Sequence, residues 1–420
     1  MARILAYTPP ATGHVFPLVP GLLELQRRGH AVHVRTSSQV VDVLRRAGLD
    51  ASAVAGAPET GSGAHGGDGK SGQLATGLAE VLRGAAAQGA DFDAAVAGFG
   101  PDVLLVDGMA YGAQPHAEAS GLPWALTMPS LLPLREPGIP PYSLGLRPAR
   151  TPIGRVRDAA LWTVVERAFG KALLPGVNKL RQDVGLPAFT SPLDGYRTPD
   201  LVIAMTGEPI EYPRRALPDN VRMVGFQPWD PPSARPEYLF EPGDPWILVT
   251  CSTDYQGDES LARVAAAALA GEPYRVLITL ADIYDKVSLP SAPNIITKRF
   301  VPHAAALERA AVVITHSGMG IVGKATRAGV PVVAVPFGRD QPEIARRVVE
   351  AGTGVRLPAP RLTPERVRAA VHQAAFRRPR AEQVAAQLAA TNPAGDFADA
   401  VSELIRSDAA VSSRMATGSR

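Results

Sequence analysis

The sequence alternates short apolar runs with segments of helical periodicity, and it does so in two separate series. The first series includes RILAY (3–7), DVLLVD (102–107) and PWALTM (123–128), and the second begins at WILVTCS (246–252). Continuous apolar runs are typical of parallel strands that helices cover on both faces. The pattern predicts an α/β chain with two Rossmann-like, doubly wound domains. We expect these domains to face each other across a cleft, which is the default place for a ligand.

Breaks in this alternation divide the chain into five parts. An N-terminal domain covers residues 1–225, and the proline-rich, aperiodic stretch 226–245 is interpreted as a linker. A C-terminal domain covers residues 246–392. We expect a helix over 393–406 that packs back on the N-terminal domain, followed by a disordered tail over 407–420.

Composition and charge exclude several classes of protein. The 43 basic and 40 acidic side chains leave a net charge of only +3, so no affinity for nucleic acid follows. Cys251 is the only cysteine, which excludes a disulfide framework and a paired-cysteine metal site. The first apolar run is too short for a signal peptide, and no stretch approaches the ~20 apolar residues of a membrane span. These features predict a soluble, cytoplasmic protein without an integral membrane segment.

One strand-to-helix turn has the composition of an anion site. The apolar run 312–315 ends at His316, and Gly318 and Gly320 follow before a helical segment. The backbone N–H groups of residues 317–320 would lie at a helix N-terminus, where unpaired donors and the helix dipole favour an anion such as a diphosphate. Glycine is also common in ordinary turns of this kind, so the glycines alone leave both interpretations open.

The surrounding motifs carry a family resemblance. RFVPHAAALERAAVVITHSGMG, followed by GVPVVAVPFGRDQ, closely resembles the donor signature of nucleotide-sugar glycosyltransferases, the family that includes antibiotic, macrolide and plant small-molecule enzymes. The N-terminal TGHVFPLVPGLLELQRRGH is similar to the opening motif of the same family. The resemblance implies the GT-B fold, with an acceptor-binding N-terminal domain and a nucleotide-sugar-binding C-terminal domain.

The resemblance implies a donor site in the C-terminal domain. Phe300 would lie against the nucleotide base, the backbone of Val301 would bond the base edge, and Thr253 would reach the phosphates. Asp340 and Gln341 would hold hydroxyls of the sugar. The diphosphate would be bound by His316, Gly318, Met319 and Gly320. Core packing would also explain Phe300, and a helix N-cap with a solvated neighbour would also explain Asp340 and Gln341.

The chain departs from the family pattern at two positions of the donor signature. Ile321 stands where the family has a phosphate-contacting serine, and Lys324 stands where it has a ribose-binding glutamate. A lysine cannot accept a hydrogen bond from a ribose hydroxyl. Family members that use dTDP-deoxysugars often lack this glutamate, so we expect a dTDP-sugar donor in preference to a UDP-sugar.

His14 and Asp107 match the catalytic pair of the family. Each follows or ends a predicted strand of the first sheet, so both are expected at its carboxyl edge. A neutral alcohol is a poor nucleophile, and a histidine oriented by a carboxylate can remove its proton. The resemblance implies direct displacement with inversion, with no metal and no cofactor beyond the nucleotide diphosphate sugar as co-substrate.

Two other motifs lack the context that their chemistry needs. AHGGDGKS (64–71) loosely matches a phosphate loop, but no strand precedes it. DFD (91–93) looks like a metal-binding motif, but it lies in a segment of helical periodicity, where an exposed helix face is expected.

The sequence says less about the acceptor substrate and about binding partners. The family and the apolar segment 131–170 favour a hydroxyl of a small apolar natural product, such as a polyketide or macrolide aglycone. A glycolipid transferase at the membrane surface stays open if the segment 147–169 lies on a bilayer. A nucleotide-sugar epimerase and a non-catalytic helper on the same fold are further alternatives, and a homodimer is left open.

Overall fold

The computed structural model describes residues 1–55, 82, 84–252 and 257–418, with side chains up to residue 406. Thr253 and the glycine-rich segment 57–75, which contains the motif at 64–71, lie outside the described residues.

The first half of the chain forms a seven-stranded, wholly parallel sheet with the order β3-β2-β1-β4-β5-β6-β7. Its strands are β1 Arg3–Tyr7, β2 Ala31–Thr36, β3 Asp50–Ala53, β4 Val103–Asp107, β5 Trp124–Met128, β6 Leu201–Ala204 and β7 Val221–Met223.

The second half forms a six-stranded parallel sheet with the order β10-β9-β8-β11-β12-β13. Its strands are β8 Trp246–Thr250, β9 Arg275–Thr279, β10 Ile295–Lys298, β11 Ala310–Thr315, β12 Val332–Ala334 and β13 Gly354–Arg356. Both sheets carry the crossover order of doubly wound folds, so the predicted α/β architecture is confirmed.

Thirteen helices of the described residues connect and cover these strands. They are α1 Thr12–Val15, α2 Val19–Arg27, α3 Ser38–Arg46, α4 Ala85–Phe99, α5 Ala113–Ala119, α6 Pro152–Asp183, α7 Glu259–Leu269, α8 His303–Leu307, α9 Met319–Arg327, α10 Gln341–Ala351, α11 Pro364–Ala375, α12 Arg378–Ala389 and α13 Pro393–Gly418.

The apolar runs place successive side chains in different cores. In β1, Ile4 belongs to the core on one face of the sheet and Leu5 to the core on the other. In β8, Leu248 and Val249 are divided between two cores in the same way. Side chains alternate along a strand, so a sheet that helices cover on both faces needs apolar residues at every position. This is why these strands read as continuous apolar runs.

The C-terminal helix α13 returns to the first half. Phe397 lies in the same core as Leu22 and Leu25, and its ring occupies the space where a Cβ at Gly21 would stand, 2.4 Å away. The helix continues to Gly418, and the disordered tail over 407–420 stays a prediction. Neither proline nor glycine occurs between residues 396 and 417 to end it.

The linker segment touches both halves of the molecule. The ring of Phe226 lies against α9, 2.5 Å from where a Cβ at Gly323 would stand. The rings of Trp229 and Phe16 meet edge to face with centroids 4.9 Å apart. Phe16 lies two residues after His14, so the linker connects this part of the first half to a helix of the second.

Candidate functional site

His14 and Asp107 meet at the carboxyl edge of the first sheet. Asp107 is the last residue of β4, and His14 lies in α1, which begins after the neighbouring strand β1. The Nδ1 atom of His14 is 2.9 Å from Oδ1 and 3.1 Å from Oδ2 of Asp107. The His14 side chain is 28% exposed, whereas that of Asp107 is 0% exposed. The carboxylate is therefore shielded from water, and the imidazole has one side open.

The polypeptide holds the carboxylate of Asp107 in place. Its Oδ1 accepts a hydrogen bond from the backbone N–H of Met109 at 2.8 Å. Its backbone carbonyl accepts one from the side-chain amide of Gln114 at 3.1 Å. A carboxylate that accepts from Nδ1 favours the tautomer whose Nε2 is the acceptor nitrogen. No sequence motif singles out Gln114, because its role depends on the turn that follows β4.

The turn after β11 leads directly into the N-terminus of a helix, as its glycines predict. Helix α9 begins at Met319 with Gly318 as its N-cap, and no side chain caps it. Ser317 adopts a φ of +76°, which is uncommon for a residue with a side chain. A Cβ at Gly318 would lie only 2.5 Å from Nε2 of His316, so any larger residue here would displace the imidazole ring. Met319 is buried, which leaves its backbone N–H as its contribution to an anion site.

His316 is buried beside a second carboxylate. It is 7% exposed, and its Nδ1 is 3.9 Å from Oδ2 of Asp258. The same Oδ2 accepts a hydrogen bond from the backbone N–H of Ser252 at 2.6 Å. Burial lowers the pKa of His316, although Asp258 opposes this shift. The ring is therefore neutral at pH 7 and can donate through one N–H. No sequence motif singles out Asp258.

Phe300 and Val301 have different environments. Phe300 is 50% exposed, with its ring centroid 6.5 Å from that of His303, so core packing does not explain this residue. Val301 is 3% exposed and belongs to a core of the second half. An exposed aromatic ring next to a fixed backbone segment is an arrangement on which a planar base can stack.

The two departures from the family pattern have structural explanations. Ile321 is buried in the core, where no phosphate can reach it. The Nζ atom of Lys324 is 2.6 Å from Oδ1 of Asp230 in the linker. The other oxygen of Asp230 accepts from the backbone N–H of Ala304 at 2.8 Å. Burial raises the pKa of Asp230, whereas Lys324 and this hydrogen bond lower it. The lowering is the larger effect, so the pKa of Asp230 lies below its ordinary value.

Asp340 and Gln341 lie at the start of α10. Asp340 occupies the N-cap position but does not cap with its side chain; its Oδ2 accepts from the hydroxyl of Ser130 in the first half, at 2.5 Å. Gln341 is 1% exposed, and its Oε1 accepts from the backbone N–H groups of Phe337 and Gly338. A simple N-cap with a solvated neighbour does not describe this pair.

The DFD motif at 91–93 lies on a helix, as expected, but not wholly on an exposed face. It lies in α4, but Asp91 is 6% exposed and pairs with Arg35, while Asp93 is 2.8 Å from Nδ1 of His116. Asp91 therefore faces the protein, not solvent.

Within the described part of the chain, no group of three or more His, Cys, Asp or Glu residues is placed to hold a metal ion. None of the helices described is both long and apolar enough to cross a membrane.

Known proteins are similar to this chain in sequence and in architecture. The model of the erythromycin biosynthesis protein CIII-like C-terminal domain matches residues 267–404. The chain is 32% identical over 425 aligned residues to 4′-demethylrebeccamycin synthase of Lentzea aerocolonigenes, covering 96% of this chain and 100% of that protein.

Solved structures give the same fold. The calicheamicin glycosyltransferase CalG4 superposes with a TM-score of 0.70 at 21% identity, over 96% of this chain and 98% of that one. The glycosyltransferase VinC, in a complex with dTDP, superposes with a TM-score of 0.66 at 21% identity and the same coverage. At this level of identity the two structures establish the GT-B fold alone. Because a relative is matched over its whole length at 32% identity, the chain belongs to the family of nucleotide-sugar glycosyltransferases of antibiotic and natural-product biosynthesis.

Proposed function

We propose that this chain transfers a sugar from a dTDP-deoxysugar, with inversion and without a metal, to a hydroxyl of a small apolar natural product. The observation that carries the proposal is the His14–Asp107 pair, with Nδ1 and Oδ1 2.9 Å apart. A shielded carboxylate behind a partly exposed imidazole is the arrangement expected of a general base and its orienting partner.

In the proposed reaction, Nε2 of His14 takes the proton of the acceptor hydroxyl as its oxygen attacks the anomeric carbon. The bond from that carbon to the diphosphate oxygen breaks, and the electron pair leaves with the nucleotide diphosphate. Asp107 stabilises the imidazolium that forms. A single displacement from the face opposite the leaving group inverts the anomeric centre.

The departing diphosphate would be stabilised by the turn before α9. A neutral His316 would donate one N–H, and the backbone N–H groups of residues 318–320, which lie at the N-terminus of α9, would donate as well. Asp340 and Gln341 would hold the sugar. Thr253 remains proposed as a further phosphate contact.

The preference for dTDP rests on Lys324 and Asp230. Lys324 offers no acceptor to a ribose hydroxyl, and each oxygen of Asp230 already accepts a hydrogen bond. The structural neighbour VinC binds dTDP, which agrees with this preference.

The test is thermal stability with UDP and with dTDP at equal concentrations, followed by product analysis with the matching sugar donors. A ligand that binds only the folded state raises the melting temperature by mass action. We expect the larger shift with dTDP. A larger shift with UDP would overturn the donor preference, and no shift with either would contradict the donor site itself. Product with retained anomeric configuration would contradict the displacement mechanism.

One surface favours a second candidate, an acceptor presented at a membrane. Three large apolar side chains share one face near the start of α6: Ile153, Val156 and Val164 are 83%, 70% and 59% exposed. Basic side chains flank them, namely Arg147, Arg155, Arg157, Arg167 and Lys171. Apolar residues beside cations are the composition of helices that lie on anionic lipid surfaces.

Co-sedimentation with vesicles tests this candidate. If the face binds lipid, the protein should sediment with vesicles that contain anionic lipid, and replacing Ile153, Val156 and Val164 by serine should abolish this. Phe376→Ser is the matched control, because Phe376 is 85% exposed on α11's C-cap in the other half. Absence of sedimentation with the unaltered protein would exclude the membrane candidate.

A further inference from the structure

Helix α10 is held by the acceptor half of the molecule through a buried ion cluster. The guanidinium of Arg347 donates through Nε and Nη2 to Oε1 of Glu211, at 3.0 and 2.8 Å, and through Nη1 to Oε2 of Glu343, at 2.7 Å. The three side chains are 3%, 1% and 1% exposed. Glu211 follows β6 of the first sheet, while Glu343 and Arg347 belong to α10, so the cluster crosses the boundary between the halves.

A loop of the first half touches the same helix. The backbone N–H of Gly145 donates to Oε1 of Glu343 at 2.5 Å, and its carbonyl accepts from Nε of Arg346 and from Nη1 of Arg356, at 3.1 and 3.2 Å. Gly145 has a φ of +59°, and a Cβ there would lie 2.5 Å from the carbonyl oxygen of Pro342. Only glycine allows this close approach of the two backbones.

These contacts restrict geometry more than they add stability. The free energy needed to remove two carboxylates and a guanidinium from water offsets much of their mutual attraction. The planar guanidinium also bonds its partners in few orientations. Burial raises the pKa of Glu343, and Arg347 opposes this rise. Loss of the arginine would therefore leave a buried carboxylate without its counter-charge. The ring of Tyr212 lies under the guanidinium at 4.1 Å, which restricts it further.

The contacts lie next to the residues proposed to hold the sugar. Asp340 and Gln341 precede or begin α10, and Arg347 is less than two turns beyond them, about 10 Å along the axis. Asp340 itself accepts from Ser130 of the first half. The position of the sugar-binding pair is thus set by the half of the molecule that carries His14.

We infer that Gly145, Glu211, Glu343 and Arg347 form a lock that aligns the donor sugar with the catalytic base, with Arg347 as its central positioning residue. This inference rests on the proposed function. The lock acts on alignment and not on nucleotide binding, because the turn at 316–320 and Phe300 lie on other elements of the C-terminal half.

The test uses two mild substitutions, Arg347→Lys, which keeps the charge but removes the fork, and Gly145→Ala, which forces the loop from α10. We expect kcat for transfer to fall about 10- to 100-fold, as misplacement of reacting groups by about 1 Å does, while the Kd for dTDP changes less than about twofold. The matched control is Arg150→Met, because Arg150 spans the same boundary to Glu350 at 3.4 Å but is 85% exposed. Its kinetics should match the unaltered protein.

Loss of nucleotide affinity in step with kcat would show a merely structural role and overturn the inference, as would transfer rates within twofold of the unaltered protein. Domain geometry is measured independently of activity by spin-label distances between Arg46→Cys and Gln387→Cys, both exposed, since the natural Cys251 is buried. We expect a broader distance distribution in the two lock variants, and an unchanged distribution would contradict the lock. If the distances broaden but the unaltered protein transfers no sugar, the proposed function fails and the lock between the halves does not.

Discussion

The two histidines of the proposed site, His14 and His316, lie on different halves of the molecule and have opposite environments. The side chain of His14 is 28% exposed and in direct contact with a carboxylate, whereas the side chain of His316 is 9% exposed and 3.9 Å from the carboxylate of Asp258. A carboxylate in contact stabilises an imidazolium, and burial without such contact disfavours it. The same residue type can therefore take up a proton in one half and donate a hydrogen bond as a neutral ring in the other.

Removing the exposed histidine should have the largest effect. His14→Ala removes the proposed base, so we expect kcat for transfer to fall by about 10²- to 10⁴-fold, while affinity for dTDP persists. Asp107→Asn should lower kcat in the same direction, because the amide cannot stabilise an imidazolium as a carboxylate does. Steady-state kinetics and calorimetric titration with dTDP measure the two quantities.

His33→Ala is the control for this prediction. His33 also pairs with an aspartate, since its Nδ1 is 2.7 Å from Oδ2 of Asp50, but it lies on β2 away from the end of β4. Its removal should leave kcat unchanged. Full activity of His14→Ala would contradict the assignment of the base.

Crowding the buried histidine should weaken donor binding. In Gly318→Ala the new Cβ would stand 2.5 Å from Nε2 of His316 and displace the ring. We expect the Kd for dTDP to rise about tenfold, equivalent to about 1.4 kcal/mol, together with a lower melting temperature.

Gly320→Ala sharpens this result, because a Cβ there has no protein atom within 4 Å. Its stability should be unchanged or slightly higher, because alanine is the better helix former, and its affinity for dTDP should fall only if the diphosphate approaches this backbone. If Gly318→Ala binds dTDP as well as the unaltered protein does, His316 is not a donor contact.

A third histidine, His303 at the start of α8, should make stability depend on pH. Burial and the neighbouring Lys324 lower the pKa of His303 to about 4. An unfolded chain binds this proton near pH 6.5, so between pH 6.5 and 4 the unfolded state binds more protons and stability falls as pH falls. The loss from this group is at most about 3 kcal/mol. Urea unfolding across this window should show a shallower decline for His303→Gln; parallel curves would contradict the neutral state of His303.

The sequence allowed much of the fold and part of the site to be predicted. The run RILAY matches β1, and DVLLVD and PWALTM match β4 and β5 within one residue, since continuous apolar runs leave few alternatives. The contact of His14 with Asp107 was predictable because parallel strands bring their carboxyl ends to one edge. Asp258, Asp230 and Ser130 were not, because each reaches the site from a turn or linker with no periodic pattern.

The sequence by itself determined the two doubly wound sheets, the glycine turn before α9 and the placement of one histidine in each half, because these depend on local composition and strand periodicity. Only the tertiary structure decided which histidine is buried, that Lys324 is neutralised by Asp230, and that Arg347 joins Glu211 across the boundary between the halves. Those properties depend on contacts between residues 94 and 136 positions apart. Burial and charge pairing at such separations arise only when the complete chain is packed.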